Sequence, residues 1–384
     1  MTHKSTINRA IIKFVFTLFG IWPDISCVML YRIFWTVTMS TVLFYHYLYF
    51  LAHYHSNDIF DLMDCFSSFL GYFKMIIYFA FFWLNQQTFD KILTMMAEDW
   101  NDCTKSDIEM HETVNKAKIS HHITNVVMTF HIICPVLYGM NIILANVDVT
   151  DQTVELPHIF KMEIPFNINT QCTYKIVLTV ELMHLVMCTV SLGVINVLVL
   201  ILTLHIGGQL NILQCWLAML IFKENKYKSI TIIMKKIIRK HQKIIYFAEN
   251  VESLYTPIAF MQFVSNTIMI CIIGFLIVTA LHSNATEKIV RLIPYYSVTN
   301  VEAFIFCYAG EYLINKSKAI GLVAYNIAWY ELEPKYSRNL LFIMLRAQKH
   351  LTLTVGKMTN LSLQCFASIM NSAGSYLSVL LAMQ

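Results

Sequence analysis

Three ionisable side chains, Lys74, Glu181 and Glu302, stand inside stretches made otherwise of apolar residues. A charge at mid-helix in a bilayer costs about 3 kcal/mol even on lenient insertion scales. Either these groups pair with one another or with backbone inside a helical bundle, or one of them lines a path for a ligand or an ion. His121, His122 and His131 come nearest to a metal-ligand cluster, but adjacent histidines on a helix point to different sides. The ten cysteines are dispersed, with no C-x-x-C pair and no Cys/His spacing suited to zinc. They read as apolar filler, and a Cys65–Cys172 disulfide is not expected. Serine, histidine and aspartate occur without a nucleophile motif, and there is no glycine-rich phosphate loop. No catalytic constellation emerges, so neither an enzyme nor a bound metal or cofactor is expected.

A different chemistry is written in the last residues, SIMNSAGSYLSVLLAMQ. Gln364, Ser368, Ser372, Val379 and Met383 recur at steps of four, four, seven and four, which puts them in one helical stripe bordered by Ser375. Facing lipid, these hydroxyls gain nothing; facing water, they can solvate an ion. A stripe of small residues also lets helices pack closely, and the residues alone leave both readings open. Aromatic side chains form a third group. Phe66, Phe69 and Phe73 share a face with Tyr72 beside it, His131, Cys134 and Tyr138 share another, and Tyr295 and Tyr296 open a later segment. Together they suit a mostly apolar small-molecule pocket with a few polar atoms, although interfacial aromatic belts explain such residues without a ligand.

The elements that must hold these groups are membrane helices. Of 384 residues 57% are hydrophobic and 14% charged, with a mean hydropathy of +0.56, where a soluble domain carries about a quarter charged residues. A net charge of +4 is too small and too dispersed to imply nucleic acid as a partner. The first apolar run is broken by Lys13 and meets Trp22-Pro23-Asp24 without a small-residue cleavage site, so no cleavable signal peptide is expected. Seven stretches are long enough to span a bilayer: Tyr31–Ala52, Cys65–Leu84, His122–Leu144, Ile176–Ile206, Pro257–Leu281, Leu292–Ile314 and Leu361–Gln384. Pro135 should kink the third.

Most of the 28 lysines and arginines fall in the N-terminal segment and in the loops after the second, fourth and sixth spans. Basic loops stay cytoplasmic, so the N-terminus is expected inside and the C-terminus outside. That orientation is inverted relative to G-protein-coupled receptors, whose D-R-Y and N-P-x-x-Y patterns are also absent. It leaves the sequon at Asn284 in an outer loop. Hydrolases with inverted seven-helix bundles need clustered histidines near the chain end, and only His282 and His350 occur there. Residues 226 to 250 form a basic amphipathic helix that can lie on the membrane, bind calmodulin, or continue the fifth span into the cytoplasm; the short Tyr255-Thr256-Pro257 junction favours the last.

From Ala324 onward the chain resembles the C-terminal signature of the insect odorant receptors. The resemblance rests on Trp329-Tyr330, LRAQK at Leu345 to Lys349, Gly356-Lys357, Leu361-Ser362-Leu363, Phe366 and Ser375-Tyr376, and FGIWP at Phe19 to Pro23 is similar to the family's N-terminal element. His350, Met358-Thr359-Asn360 and Ala373-Gly374 depart from the family pattern, which bears on the packing just before the last helix. The resemblance implies an all-α membrane protein of seven helices forming one polytopic domain. Residues 1–320 would be mainly the ligand-binding bundle, and 321–384 a cytoplasmic anchor segment with the pore-lining last helix.

The implied function is a subunit of a ligand-gated, nonselective cation channel of four chains in the plasma membrane of olfactory neuron dendrites. The chain is too short for the co-receptor and resembles a tuning subunit that joins the co-receptor in a heterotetramer. Its partners would be an odorant small molecule, a small volatile or a cuticular hydrocarbon to suit an apolar, aromatic-rich site, together with the lipid bilayer and permeating cations. Phe69, Tyr72, Phe73, His131, Cys134, Tyr138, Tyr295 and Tyr296 are the candidate odorant contacts in the outer half. Gln364, Ser368, Ser372, Ser375, Val379 and Met383 are the candidate pore residues, with Val379 as the gate. An end at Gln384 would add an α-carboxylate at the pore mouth and favour cations. The rival readings are a gustatory receptor channel, whose T-Y-x-x-x-x-x-Q-F ending is not matched here, and a secondary transporter, which should show internal repeats.

Overall fold

The computed structural model describes residues 10–22, 27–55, 59–103, 107–144, 156–163, 168, 170–222 and 227–383. They form an antiparallel helical bundle: α1 (Ala10–Leu18), α2 (Val28–His53), α3 (Ile59–Leu84), α4 (Gln86–Cys103), α5 (Asp107–Leu144), α6 (Gln171–Phe222), α7 (Tyr227–His282), α8 (Thr286–Asn326), α9 (Pro334–Gln348) and α10 (Leu363–Ala382). A two-stranded hairpin, β1 (Thr354–Val355) with β2 (Thr359–Asn360), lies just before α10.

All seven expected apolar stretches fall in separate helices, α2, α3, α5, α6, α7, α8 and α10. Among the described residues six of these are long and apolar enough to cross a membrane; α8 falls outside that set. The reason is chemical: Asn300, Glu302 and Glu311 dilute its apolar stretch. Several helices also outrun a bilayer. At 52 and 56 residues, α6 and α7 are each about 80 Å long at 1.5 Å per residue, against a hydrocarbon core of about 30 Å. The basic amphipathic segment is thus one continuous helix with the fifth apolar stretch, and the expected junction at Pro257 lies inside α7. Pro135 likewise lies inside α5.

Helix α6 is the axis. From Val194 to Leu204 only Asn196 and Thr203 are polar, and a helix that is apolar nearly all round is stable only when surrounded; Val194, Ile195, Val197, Leu198, Val199 and Leu202 are fully buried. Helices α5, α7 and α8 pack along it, α3 packs on α7, and α2 covers α3. The N-terminal FGIWP element caps this arrangement. Phe19 stacks on Trp35 and Phe79 with ring centroids 4.2 and 4.6 Å apart, Gly20 takes the left-handed φ of 64° that ends α1, and Ile21 is buried. Pro23 lies outside the described residues.

At the end where α4 meets α7, Asp99 accepts from His205 at 3.1 Å and pairs with Lys240 at 3.3 Å and Lys243 at 3.2 Å. Burial alone would raise this carboxyl, but the hydrogen bond and charge of His205 with the two lysines outweigh it and hold the group well below the usual carboxylate range. At the same end Gly356 and Lys357 both take positive φ, 57° and 62°, closing the β-hairpin with a Met358 N–H to Val355 carbonyl bond of 2.9 Å. Gly356 presses on Phe260 of α7, and Gly310 of α8 on Leu361, so no side chain larger than hydrogen fits at either place without displacement. This clamp fixes where α10 begins; Ser362 caps it, accepting from the Cys365 N–H at 3.2 Å.

Candidate ligand cavity and terminal helix face

A cavity of about 90 Å³ lies among α3, α5, α6, α7 and α8, toward the bundle end opposite the β-hairpin. Its walls are Tyr72 and Met75 of α3, Cys134, Pro135 and Tyr138 of α5, Leu185, Cys188 and Leu192 of α6, Met269 of α7, and Tyr295 and Val298 of α8; Phe160 from the segment before α6 also reaches it. Ion pairs close its two ends. At one end Lys74 Nζ meets Glu302 Oε2 at 2.6 Å, both fully buried. Asn266 accepts from the same ammonium at 3.4 Å and Gln262 donates to the same carboxylate oxygen at 3.3 Å; Gln262 also accepts from Tyr78. His131 Nε2 stands 3.8 Å from the other Glu302 oxygen, while its Nδ1 lies 2.9 Å from the Val127 carbonyl. At the far end Arg291 bridges Asp64 and the Tyr138 hydroxyl, 2.5 Å from each. Two opposite charges that share hydrogen bonds tolerate burial; either alone would not.

Of the candidate contacts, Tyr72, Cys134, Tyr138 and Tyr295 come together on the cavity wall. His131 lies behind it, its ring held against Gly193 of α6. Tyr296 packs against a neighbouring apolar cluster around Leu276 and Leu292. Phe69 and Phe73 stack on each other 6.3 Å apart, with Phe73 on the outer surface of the bundle beside Phe66. The phenylalanine stripe and Tyr72 therefore sit on different sides of α3. Lys74 and Glu302 are paired with each other. Glu181 instead accepts from the Ile159 N–H at 2.9 Å and lies 3.1 Å from His158, which pins the segment that carries Phe160 over the cavity. Periodicity alone did not mark Met75, Phe160, Leu185, Cys188, Leu192, Met269 or Val298, because apolar lining and apolar core have the same sequence signal.

The terminal helix is built differently. Helix α10 lies against α7 and α8 and buries only Cys365, Ile369 and Ala373; Phe366 meets Phe304 edge-on at 5.7 Å. The opposite side is uncovered: Gln364, Ser368, Ser375, Val379 and Met383 are exposed, with Ser372 at the margin. Asn371, Gly374 and Ser378 widen this polar, small-residue face. Ser375 and Ser378 donate back to carbonyls of their own helix at 2.9 and 2.7 Å, which keeps the hydroxyl protons satisfied and leaves oxygen lone pairs outward. Gln384 lies outside the described residues.

Asn284 takes a positive φ of 52° in the turn between α7 and α8 and is exposed. All ten cysteines are free, Cys65 buried and Cys172 exposed. Among the described residues no group of three or more His, Cys, Asp or Glu is placed to hold a metal.

The profile of the family described as 7tm odorant receptor matches residues 58–374. Odorant receptor 10 of Aedes albopictus is 33% identical over 157 residues, 41% of this chain and 40% of that protein. Odorant receptor 13a of Drosophila melanogaster is 29% identical over 158 residues, 38% of each. The matched stretch thus spans about two fifths of the length of these curated relatives. Among solved structures, the olfactory receptor OR5 of Machilis hrabei superposes with a TM-score of 0.79 over 97% of both chains at 14% identity. Its complex with eugenol gives 0.77 at 15% identity; the shared feature is the fold.

Proposed function

The chain belongs to the 7tm odorant receptor family, and from that premise we propose that it is the odorant-binding subunit of a ligand-gated, nonselective cation channel. The family is one of receptors, so the chain is not an enzyme. In this reading seven helices, α2, α3, α5, α6, α7, α8 and α10, cross the plasma membrane of an olfactory neuron dendrite with the N-terminus cytoplasmic. The basic loops at the β-hairpin end support that orientation. The cavity then lies in the outer half of the bundle, and Asn284 is on the outside, open to glycosylation.

Four chains, this one together with the longer co-receptor, surround a central pore with their α10 helices. Gln364, Ser368, Ser372 and Ser375 line the wet part, Val379 forms an apolar constriction that closes by dewetting, and Met383 stands at the mouth. The observation that carries the reading is α10 itself: a membrane-length helix whose small, polar side is left uncovered by its own chain. Lipid cannot satisfy that side, whereas water in a shared pore can.

The cavity suggests how ligand and pore communicate. At about 90 Å³ it exceeds the roughly 10–15 Å³ needed for one water but not the roughly 150 Å³ of an engineered core cavity that accepts benzene. A single-ring odorant enters only if the walls part. Helix α8 supplies Tyr295, Val298, Thr299 and Glu302 to the cavity and, two residues on, Phe304 to the contact with Phe366 of α10. Displacing α8 therefore displaces the cytoplasmic start of the pore helix. Co-expression with the co-receptor and whole-cell recording against a chemically broad odorant panel tests this. Ligand-evoked currents of channel size are expected; responses limited to a transporter's turnover, or no current with either subunit combination, would contradict it.

A further inference from the structure

Tyr138, on the cavity wall, carries a hydrogen-bond donor that the described residues leave unused. Its oxygen accepts from Arg291 Nη2 at 2.5 Å, and among the described residues no acceptor takes its own proton. The other two phenols on the wall are occupied: Tyr295 donates to the Ser67 carbonyl at 3.1 Å, and Tyr72 lies 3.0 Å from His184 Nδ1. Arg291 is anchored by one oxygen of Asp64, at 2.5 Å, while Asp64 Oδ1 and Arg291 Nε find no partner. The guanidinium also lies 4.5 Å from the Tyr138 ring centroid. A cation bonded to the phenol oxygen draws electron density from it and strengthens the O–H as a donor, more so where the local dielectric is low.

From this arrangement we infer that the cavity selects small ligands bearing a hydrogen-bond-accepting oxygen, a ketone, aldehyde or ester, over hydrocarbons of the same shape, with Tyr138 as the recognising donor and Arg291 as its positioning residue. The inference rests on the cavity being the odorant site. A hydrocarbon in the same volume buries the Tyr138 hydroxyl against carbon, and a buried donor left unpaired loses its hydrogen bond to water with nothing in return. Sites built around a hydrogen bond reject the analogue lacking it far more strongly than apolar pockets reject an extra methyl group. The apolar remainder of the wall, Met75, Leu185, Leu192, Met269 and Val298, takes the ligand's carbon skeleton.

The test uses the full chain with the co-receptor and pairs of probes that differ only in that oxygen: acetophenone against α-methylstyrene, and small aliphatic ketones against the corresponding methylene alkenes. In the unsubstituted receptor the oxygenated member is expected to act at a concentration at least tenfold lower. Tyr138→Phe keeps the ring and removes the hydroxyl; it should erase most of that ratio. Because the ratio in the unsubstituted receptor is itself a result, the inference can fail even if the variant does not reach the surface. Equal potency within the pairs, activation by hydrocarbons alone, activation by neither class, or an unchanged ratio in Tyr138→Phe would each overturn it. Filling the cavity with Cys188→Phe separates the two levels. If all responses survive that change, the site reading falls and takes the inference with it. If they vanish while Tyr138→Phe leaves the ratio intact, the cavity stands and only the role of Tyr138 falls.

Discussion

The cavity end of the bundle and the terminal helix handle polar groups in opposite ways. Around the cavity, the buried charges find partners within the same chain: Lys74 pairs with Glu302 and Arg291 with Asp64, while Glu181 accepts from the Ile159 amide and lies beside His158. Along α10, the polar side chains look away from the chain altogether. A group that is satisfied internally supports folding and shape; a group left facing outward in a membrane helix needs something the monomer does not contain. In the proposed channel, the contrast separates the part of the molecule that is complete in one copy from the part that an assembly would complete.

Breaking the internal pair should have the largest effect. Lys74→Met leaves Glu302 buried beside an apolar side chain, a loss of about 3–5 kcal/mol, and should sharply reduce the amount of receptor at the cell surface, read by surface biotinylation. The double change Lys74→Met with Glu302→Met removes both charges and should restore most of that amount. Damage on the α10 side should spare folding: Val379→Ala is expected to raise unliganded current several-fold at an unchanged surface level, because a smaller, less apolar constriction rewets more easily. Unchanged leak with normal odorant responses would remove Val379 from the gate.

Smaller effects sharpen the boundary between the two regions. A Cβ at Gly193 would come within 2.8 Å of the His131 ring, so Gly193→Ala should cost about 1–3 kcal/mol in detergent thermal unfolding and weaken odorant potency without altering leak. The smallest effect concerns acid. A carboxyl held low in the folded state, as Asp99 is, contributes stability that is present above its ordinary pKa of about 4 and is lost as pH falls through the folded value. The Asp99 carboxyl itself therefore adds no pH dependence between pH 5 and 8, and destabilisation from this group begins below about pH 4. Asp99→Asn should lose the cluster's contribution at neutral pH and flatten that acid limb.

Residue types and spacing were enough to find the long apolar helices and the exposed stripe of α10, because a bilayer demands long apolar helices and a helix repeats on a fixed period. They also marked Lys74 and Glu302 as needing partners, although their meeting across 228 positions of chain is set by how α3 and α8 pack. The cavity wall was only partly legible. Tyr72, Tyr138 and Tyr295 stood out as polar-tipped aromatics, whereas Met269 and Leu192 look like any other core residue in sequence. Phe69 and Phe73 share the signal of the wall yet stand on another side of α3, since periodicity defines a face without saying what it faces. The extension of α7 was legible as a basic amphipathic helix running into the fifth apolar stretch, whereas that of α6 was not, because Gly207-Gly208, Gln209, Asn211 and Gln214 look like the end of an apolar stretch.

The central claim is that the uncovered side of α10 meets water in the assembled protein. Cysteines introduced one at a time at Ser368, Ser372 and Val379, and at Ile369 and Ala373 on the buried side, can be challenged with a charged thiol reagent during odorant application. Rapid block at the first three positions and none at the last two is the expected result. Failure of the reagent to reach Ser368, Ser372 and Val379 in any functional state would mean that ions pass elsewhere.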